Sequence, residues 1–592
     1  MITMHHFGLS LVQVYAEAWK MEERPWVVPA FLCAAALAAA FIPGMIGNLR
    51  KRQRKRAATH SKANIYHQHL LDRIQNAPIP SLSTEKLAQI LSSSISELHL
   101  SISNGSITCT EVVTAFIKQV QTLGISLNSV VDERFSLALQ EAAALDQALA
   151  SGRSPGPLYG IPFSVKDMIS VQGCVSTYGL ARLCHNQMSE DALIVRAMKG
   201  EGAIPLVKGS MPQLGASIDT VNGIVGRCLN PVDKERTSGG SSGGDAALIA
   251  SNSVPFGLAG DIAGSIRIPA SFTGIYGLRP TSARTSSCGP VPKLSFPGYS
   301  TTWGPMARSV ADLSLIMQVW CSDFIHQSDP LTPPIPYQSH SPALSSLRIG
   351  YISSHSSAPP CRTAIRAVSE AVELLQKQGF QVVEFQIPNL REFHELGAKY
   401  FTAFGEVLDE EVVDSEPLIK MLRRIYTVGK TPRVVKRVLA FLAWAFNYPS
   451  LLFSIHSQAC PPSGPAAFSN LYCSLQRLKT DFQLAWQKAR IDLLIAPFPV
   501  PAPPHDSQCD QSALLSWAIL FNLVDFPTGL IPWTQVNEGE IDYKGANSAE
   551  TTVVKEVLAG SIGLPIGLQV VGKPYQEEQC LALMQALDQA KH

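Results

Sequence analysis

Between Trp26 and Leu49 no side chain carries a charge, and the run is closed at once by Arg50, Lys51, Arg52, Arg54, Lys55 and Arg56. About 20 apolar residues rising 1.5 Å each suffice to cross a bilayer, and a dense basic flank belongs on its cytoplasmic side. The pattern therefore predicts an N-terminal tail over 1–25, a single transmembrane helix over 26–49 and a cytosolic remainder. A secretory signal would carry its basic residues before the apolar stretch and a small-residue cleavage site after it. A buried core helix would leave the basic cluster unexplained, although Pro29, Pro43 and Gly44 interrupt the run.

Residues 50–82 are polar and end in Asn76-Ala77-Pro78-Ile79-Pro80, the composition of a juxtamembrane linker, so folded structure is expected from Ser83 onward. Thr108 with Glu111 three residues on makes a capping box, and Val112, Val113, Phe116, Ile117 and Val120 repeat at helical spacing behind it. From Tyr159 the period changes. Ile161, Phe163 and Val165 alternate with Pro162, Ser164 and Lys166, which predicts a half-buried strand delivering Lys166 at its end. A helix over 191–201, stopped by Gly202, and a strand over 204–207 follow, and strand, helix and strand at this spacing indicate an α/β domain. In 432–455, Arg433, Lys436 and Arg437 precede an apolar stretch from Val438 to Phe446 that Pro449 breaks. It is too short to span a bilayer; it fits a membrane-surface helix or an ordinary core or dimer-interface helix equally.

Composition narrows the classes. The chain has 592 residues, 46% of them hydrophobic, which fills a sizeable core, and 48 Lys+Arg nearly balance 47 Asp+Glu. No global field draws it to nucleic acid. Its 12 cysteines form no C-x-x-C pair and no His/Cys cluster at ligand spacing, so neither a metal site nor a disulfide scaffold is expected, and the thiols read as reduced and cytosol-facing.

The densest chemistry lies in Thr237-Ser238-Gly239-Gly240-Ser241-Ser242-Gly243-Gly244-Asp245 and, about 20 residues on, Gly260-Asp261-Ile262-Ala263-Gly264-Ser265-Ile266-Arg267-Ile268-Pro269. Glycine lets a backbone approach a reacting group and turn successive N–H groups toward an anion, while a serine in such a turn can attack a carbonyl. A phosphate loop would need G-x-x-x-x-G-K-[ST], and no lysine follows these glycines. Gly239 to Gly243 satisfies G-x-S-x-G, which would make Ser241 the nucleophile of an α/β-hydrolase elbow and require a downstream Asp and His. The downstream histidines, His326 to His592, stand in no shared context. A purely structural turn is the remaining alternative.

Four blocks in chain order resemble the amidase-signature family: Val165-Lys166-Asp167, Gly239 to Asp245, Asp261 to Pro269, and Gly274-Ile275-Tyr276-Gly277-Leu278-Arg279-Pro280. The resemblance covers 83–592 and implies an α/β fold with a mixed, twisted sheet covered by helices on both faces. It implies Ser265 as nucleophile, Lys166 as base, and Ser241, held after a cis peptide bond, as proton relay. Ile262, Ala263, Gly264 and Ser265 match the family's oxyanion loop, with Ser242, Asp261 and Arg267 as supports and no cofactor or metal. Lysine is a base only when neutral, so its pKa must fall from ~10.4 toward 7 or 8 through burial or a nearby cation.

Within the family, Met211-Pro212-Gln213, Phe521 to Pro527, Gln576-Glu577-Glu578, the apolar N-terminus and the 432–455 segment resemble the membrane-bound members that cleave fatty amides. That likeness implies a fatty amide substrate entering from the bilayer beside a membrane-binding cap at 432–455, a homodimer, and an endoplasmic reticulum or other endomembrane location. Gly215 and Ile218 fall where the acyl channel would run, yet the residues there are small or aliphatic where bulky ones are expected. An amidase of small or glutamine-type amides and a catalytically silent membrane scaffold are the competing readings; the scaffold would have lost Lys166 or a serine.

Overall fold

The structure, a computed structural model, describes residues 27–152, 156–289, 295–338, 346–354, 359–408, 410–431, 465–507, 516–543 and 549–591, with backbone alone at 27–50. The chain divides into two compact units, 1–58 and 59–592. In the first, the described residues belong to the opening part of a helix, α1 (Val27–Gln75). No helix among the described residues whose side chains are placed is long and apolar enough to cross a membrane. The 432–455 segment lies outside the described residues.

The second unit begins earlier than its composition suggests. Helix α1 runs through most of the expected 50–82 linker, and Ala63, Tyr66, Leu70 and Ile74 are buried in the main core. Their spacing of three or four residues makes a narrow apolar stripe that the intervening charges and amides hide in an average over the window. The stripe is pinned at its end. Tyr66 Oη donates to the Val131 carbonyl at 3.0 Å, and Arg73 pairs with Asp132 at 2.7 Å. The capping box at Thr108 is formed and starts α2 (Cys109–Gln119) as expected.

Eleven strands make one mixed sheet: β1 (Val130–Glu133), β2 (Pro162–Lys166), β3 (Ile204–Gly209), β4 (Phe256–Asp261), β5 (Tyr276–Arg279), β6 (Thr302–Ala307), β7 (Arg348–Tyr351), β8 (Gln381–Glu384), β9 (Leu493–Pro497), β10 (Thr528–Gln535) and β11 (Pro565–Val571). Their spatial order is β1-β3-β2-β4-β6-β5-β10-β11-β9-β7-β8. Strand β2 lies parallel to both β3 and β4, whereas β4 through β11 are joined antiparallel along the middle of the sheet.

The expected strand at Ile161–Lys166 is present, but it is not half-buried. All five residues of β2, Ser164 and Lys166 included, are buried. Alternation signals which residues share a face and does not say what covers that face. Here the polar face of β2 lies under α3 (Gly243–Ala250), whose Asp245 accepts a hydrogen bond from Ser164.

Leu70 is 1% exposed on α1 and Ile65 is 54% exposed. Leu70→Ala should therefore cost about 2–5 kcal/mol, whereas Ile65→Ala should change stability by no more than ~0.5 kcal/mol. Denaturant unfolding of the two variants measures the contrast; equal, small effects would mean that this helix is not part of the folded unit.

Candidate active site

Parallel neighbours end on the same side of a sheet, so β2 and β4 bring Lys166 and Asp261 to adjacent strand ends, where binding crevices of α/β sheets lie. The loop before α3 supplies the third component. Its Gly240–Ser241 peptide bond is cis. Lys166 Nζ is hydrogen-bonded to Ser241 Oγ at 2.8 Å and donates to the Gly260 carbonyl at 3.1 Å.

Lys166 is 1% exposed, and burial pushes its amine down to about 8, against the opposing pull of the carboxylates of Asp245, Asp261 and Asp167. An ordinary lysine would be less than ~0.1% neutral at pH 7.4; with a pKa near 8 roughly a fifth of the molecules carry the free amine.

Ser265 is 7% exposed and follows directly on the turn after β4. Its carbonyl accepts from the Ser242 N–H at 3.2 Å, which ties the two serine-bearing loops together. The Ser242 hydroxyl reaches the Gly260 carbonyl at 3.5 Å, beside the bond from Lys166 to the same oxygen.

The turn itself is clamped by one carboxylate. Asp261 accepts from the Gly264 N–H at 2.6 Å, the Ile266 N–H at 3.2 Å, Arg267 Nε at 3.1 Å and Asn522 Nδ2 at 2.7 Å. Burial alone would raise this carboxyl, but Arg267 and the hydrogen bonds hold it well below the usual carboxylate range. Asp261 and Arg267 thus brace the loop.

Gly264 differs from the expectation. Its N–H points at Asp261, so it is not a free oxyanion donor, and its contribution is the turn that its φ of +102° permits. The N–H groups of Ile262, Ala263 and Ser265 make no hydrogen bond among the described residues.

Gly215, at φ +69°, lies against the relay. A Cβ there would stand 3.4 Å from Ser241 Oγ and 3.2 Å from Met211 Cε. Ile218 packs behind the same loop, where a Cβ on Gly240 would meet its backbone and the Ser217 carbonyl, and it lines a surface cleft with Ile419, Met421 and Pro503.

The roles of three residues escape a reading of the sequence, although two of them, Asp245 and Asn522, fall in blocks it singles out. Asn522 accepts from Arg267 Nη2 at 2.6 Å, Gln569 accepts from Arg267 Nη1 at 3.0 Å, and Asp245, held by Ser164, acts on Lys166. A signal for the first two exists. Each is a lone amide in an apolar segment, Trp517 to Val524 and Pro565 to Val571, and a polar group buried there must have a partner.

The amidase family profile matches residues 111–581. The chain belongs to this family, whose members are hydrolases of amide C–N bonds. Fatty-acid amide hydrolase 1 of Sus scrofa is 29% identical over 97% of this chain and 98% of its own length. The Caenorhabditis elegans fatty acid amide hydrolase 1 is 29% identical over 86% of this chain and 90% of its own. Vitamin D3 hydroxylase-associated protein of Gallus gallus is 32% identical over 71% of this chain and 89% of its own. A solved structure of fatty acid amide hydrolase superposes with a TM-score of 0.76 at 24% identity, over 90% of this chain and 96% of that one, a likeness of fold.

Removing Arg267 would leave the Asp261 carboxylate buried and without its cation. Arg267→Ala should cost ~3–5 kcal/mol of stability at pH 7. Because the folded carboxyl titrates lower than the unfolded one, the stabilisation is complete above ~3.9 and is lost as pH falls through the folded value, so wild type and variant should converge in acid. Chemical denaturation from pH 8 down to about pH 1.5 reads this directly; an undiminished gap at the acid end would assign the loss to packing.

Proposed function

We propose that the protein is a membrane-bound serine hydrolase that cleaves fatty acid amides, N-acylethanolamines and primary fatty amides among them, through an acyl-enzyme on Ser265. The observation that carries the catalytic part is the buried Lys166 amine in hydrogen-bond contact with Ser241 at 2.8 Å, at the end of the strand beside the one that leads into Ser265.

In the proposed cycle neutral Lys166 takes the proton of Ser241 while Ser241 takes that of Ser265, and Ser265 Oγ bonds to the amide carbonyl carbon. The carbonyl oxygen becomes an oxyanion facing the N–H groups of Ile262, Ala263 and Ser265. The proton returns along the same relay to the amide nitrogen, the C–N bond breaks, and the amine leaves. Water enters, gives up a proton to the relay and attacks the ester carbon; the acid is released as Ser265 recovers its proton. Lys166 becomes cationic as the oxyanion forms on the substrate, so the net charge of the relay and substrate together is constant through each step.

The fatty amide class is supported by two relatives named for that activity, aligned over most of both chains. The apolar run at 26–49 and its basic flank support membrane attachment, with the catalytic unit cytosolic on an endomembrane. A homodimer and a membrane-binding cap at 432–455 belong to the same reading.

A fluorophosphonate probe on membranes carrying the full chain tests the assignment. Labelling should disappear in Ser265→Ala, persist at a reduced rate in Ser241→Ala, and fall ~10²–10⁴-fold in rate in Lys166→Ala. The reverse pattern between the two serines would make Ser241 the nucleophile. Hydrolysis should rise with pH through about 8, since the base acts only when deprotonated. A substrate panel should favour long-chain over short soluble amides; the opposite order would sink the lipid part of the reading.

A further inference from the structure

Asp245 is an acidic side chain placed where no solvent reaches it. It is the third residue of α3, fully buried, and its Oδ1 accepts from Ser164 Oγ at 2.7 Å. Its Oδ2 is buried without a hydrogen-bond partner. A buried carboxylate with an orphaned oxygen destabilises a fold, and packing alone would be served by a small neutral residue.

The surrounding strands make room for it. A Cβ on Gly209 of β3 would stand 2.5 Å from the carboxyl carbon and from both oxygens of Asp245, and a Cβ on Gly257 of β4 would stand 2.5 Å from Ser164 Oγ. These glycines are the register partners of Lys166 and Ser164 respectively. Ser164 and Lys166 lie two residues apart on β2 and so share one face of the sheet. The carboxylate held by the first therefore faces the same dry compartment as the amine of the second.

Resting on the Ser265–Ser241–Lys166 reading, we propose that Asp245 is a positioning residue of the amidase reaction: its carboxylate, oriented by Ser164, is the counter-charge that stabilises Lys166 once that amine has taken the proton from Ser241. Other charged groups face this compartment but are engaged elsewhere. Asp261 at the end of β4 is paired with Arg267 and Asn522. Asp167, next to Lys166 on its own chain segment, accepts from Thr177 and Gly179 and faces Lys208 of β3. Lys208 also acts on Asp245, but it donates to the Ile169 carbonyl and to Ser176 Oγ. The Cys228 thiol, 3.6 Å from the Gly243 carbonyl, is pushed up to about 12 by burial and stays neutral.

Among these groups the attraction between Asp245 and Lys166 is mutual and leading: Asp245 is the carboxylate that raises Lys166 most, and Lys166 the cation that lowers Asp245 most. Burial pushes the Asp245 carboxyl up to about 7, so it ionises in the range where the relay operates.

Asp245→Asn keeps the shape and can still accept from Ser164. Without the carboxylate, Lys166 loses its proton more readily and is a weaker base. The acid limb of kcat/KM for a long-chain amide should move to lower pH, kcat above the limb should fall ~10-fold or more, and KM should stay within about twofold. Asp245→Glu should restore part of kcat and return the limb toward wild type. Ser164→Ala, which frees the carboxylate from its orienting bond, should shift the limb in the same direction by less, and it decides the matter should neither Asp245 variant fold. A limb unmoved in both Asp245→Asn and Ser164→Ala, with kcat merely scaled down, would overturn the proposal in favour of a structural role. Lys166→Ala run alongside separates the levels: if it retains activity, the relay itself is wrong, and if it is inactive while the limb stays fixed in the other variants, only Asp245 is misassigned.

Discussion

An amine kept out of water and yet able to hold a proton is the constraint on which this site depends. Lys166 can lie at the end of β2 with 1% exposure because strands and α3 cover it, and that burial moves its pKa from 10.5 to about 8. The displacement corresponds to a differential free energy on the order of 3 kcal/mol between the charged and neutral forms. Burial without opposing charge would go further and make the amine too weak a base to accept a serine proton. The carboxylates around it oppose that tendency, so basicity is set by a balance of desolvation against Coulomb attraction within one compartment. The same balance explains the glycines on the strands flanking β2: at Gly209 and Gly257 a side chain would occupy the space of the carboxylate or of the serine that orients it.

The second element of the site is a turn whose shape is fixed by a buried ion pair. Asp261 and Arg267 are both 0% exposed in their side chains, and each has several partners: the carboxylate two backbone N–H groups, Arg267 and Asn522, the guanidinium Asp261, Asn522 and Gln569. Buried pairs of this kind add little to stability over apolar substitutes, but they are directional. Here the directionality aims Gly264 N–H inward and leaves those of Ile262, Ala263 and Ser265 without an internal partner. Gln569 in turn donates to the carbonyls of Pro497 and Trp517. The candidate groups come from the end of β2, the turn after β4 and the loop before α3, but Asn522 and Gln569, which complete the brace, lie more than 250 positions after Arg267.

What could be read in the sequence follows from how local each signal is. The capping box at Thr108 and the strand at Lys166 are contiguous patterns, and both elements formed where expected. Ser241 and Ser265 lie in glycine-rich blocks whose composition is unusual at short range, and the roles given to them and to Lys166 come from the resemblance of four blocks in chain order. Burial was less legible: the polar face of β2 reads as solvent-facing until α3 is placed over it, and Asn522, Gln569 and Asp245 acquire their meaning only through contacts with distant segments. The stripe Ala63, Tyr66, Leu70 and Ile74 failed to register for a different reason, since four apolar residues among many polar ones look like a linker by composition and like a helix face only by phase.

Gly215 shows how a position that the resemblance assigns to substrate can be governed by backbone conformation instead. The resemblance places it on the acyl channel, where bulk would grip a chain. In the structure it has φ +69° and a Cβ added there would stand within 3.4 Å of Ser241 Oγ. A larger residue would have to adopt a left-handed conformation that side chains disfavour, and its Cβ would crowd Met211 Cε at 3.2 Å. The small residue is thus explained by backbone conformation before any substrate is considered. Ile218 is under no such conformational demand: it is buried in the main core, packs behind the cis loop and borders a cleft.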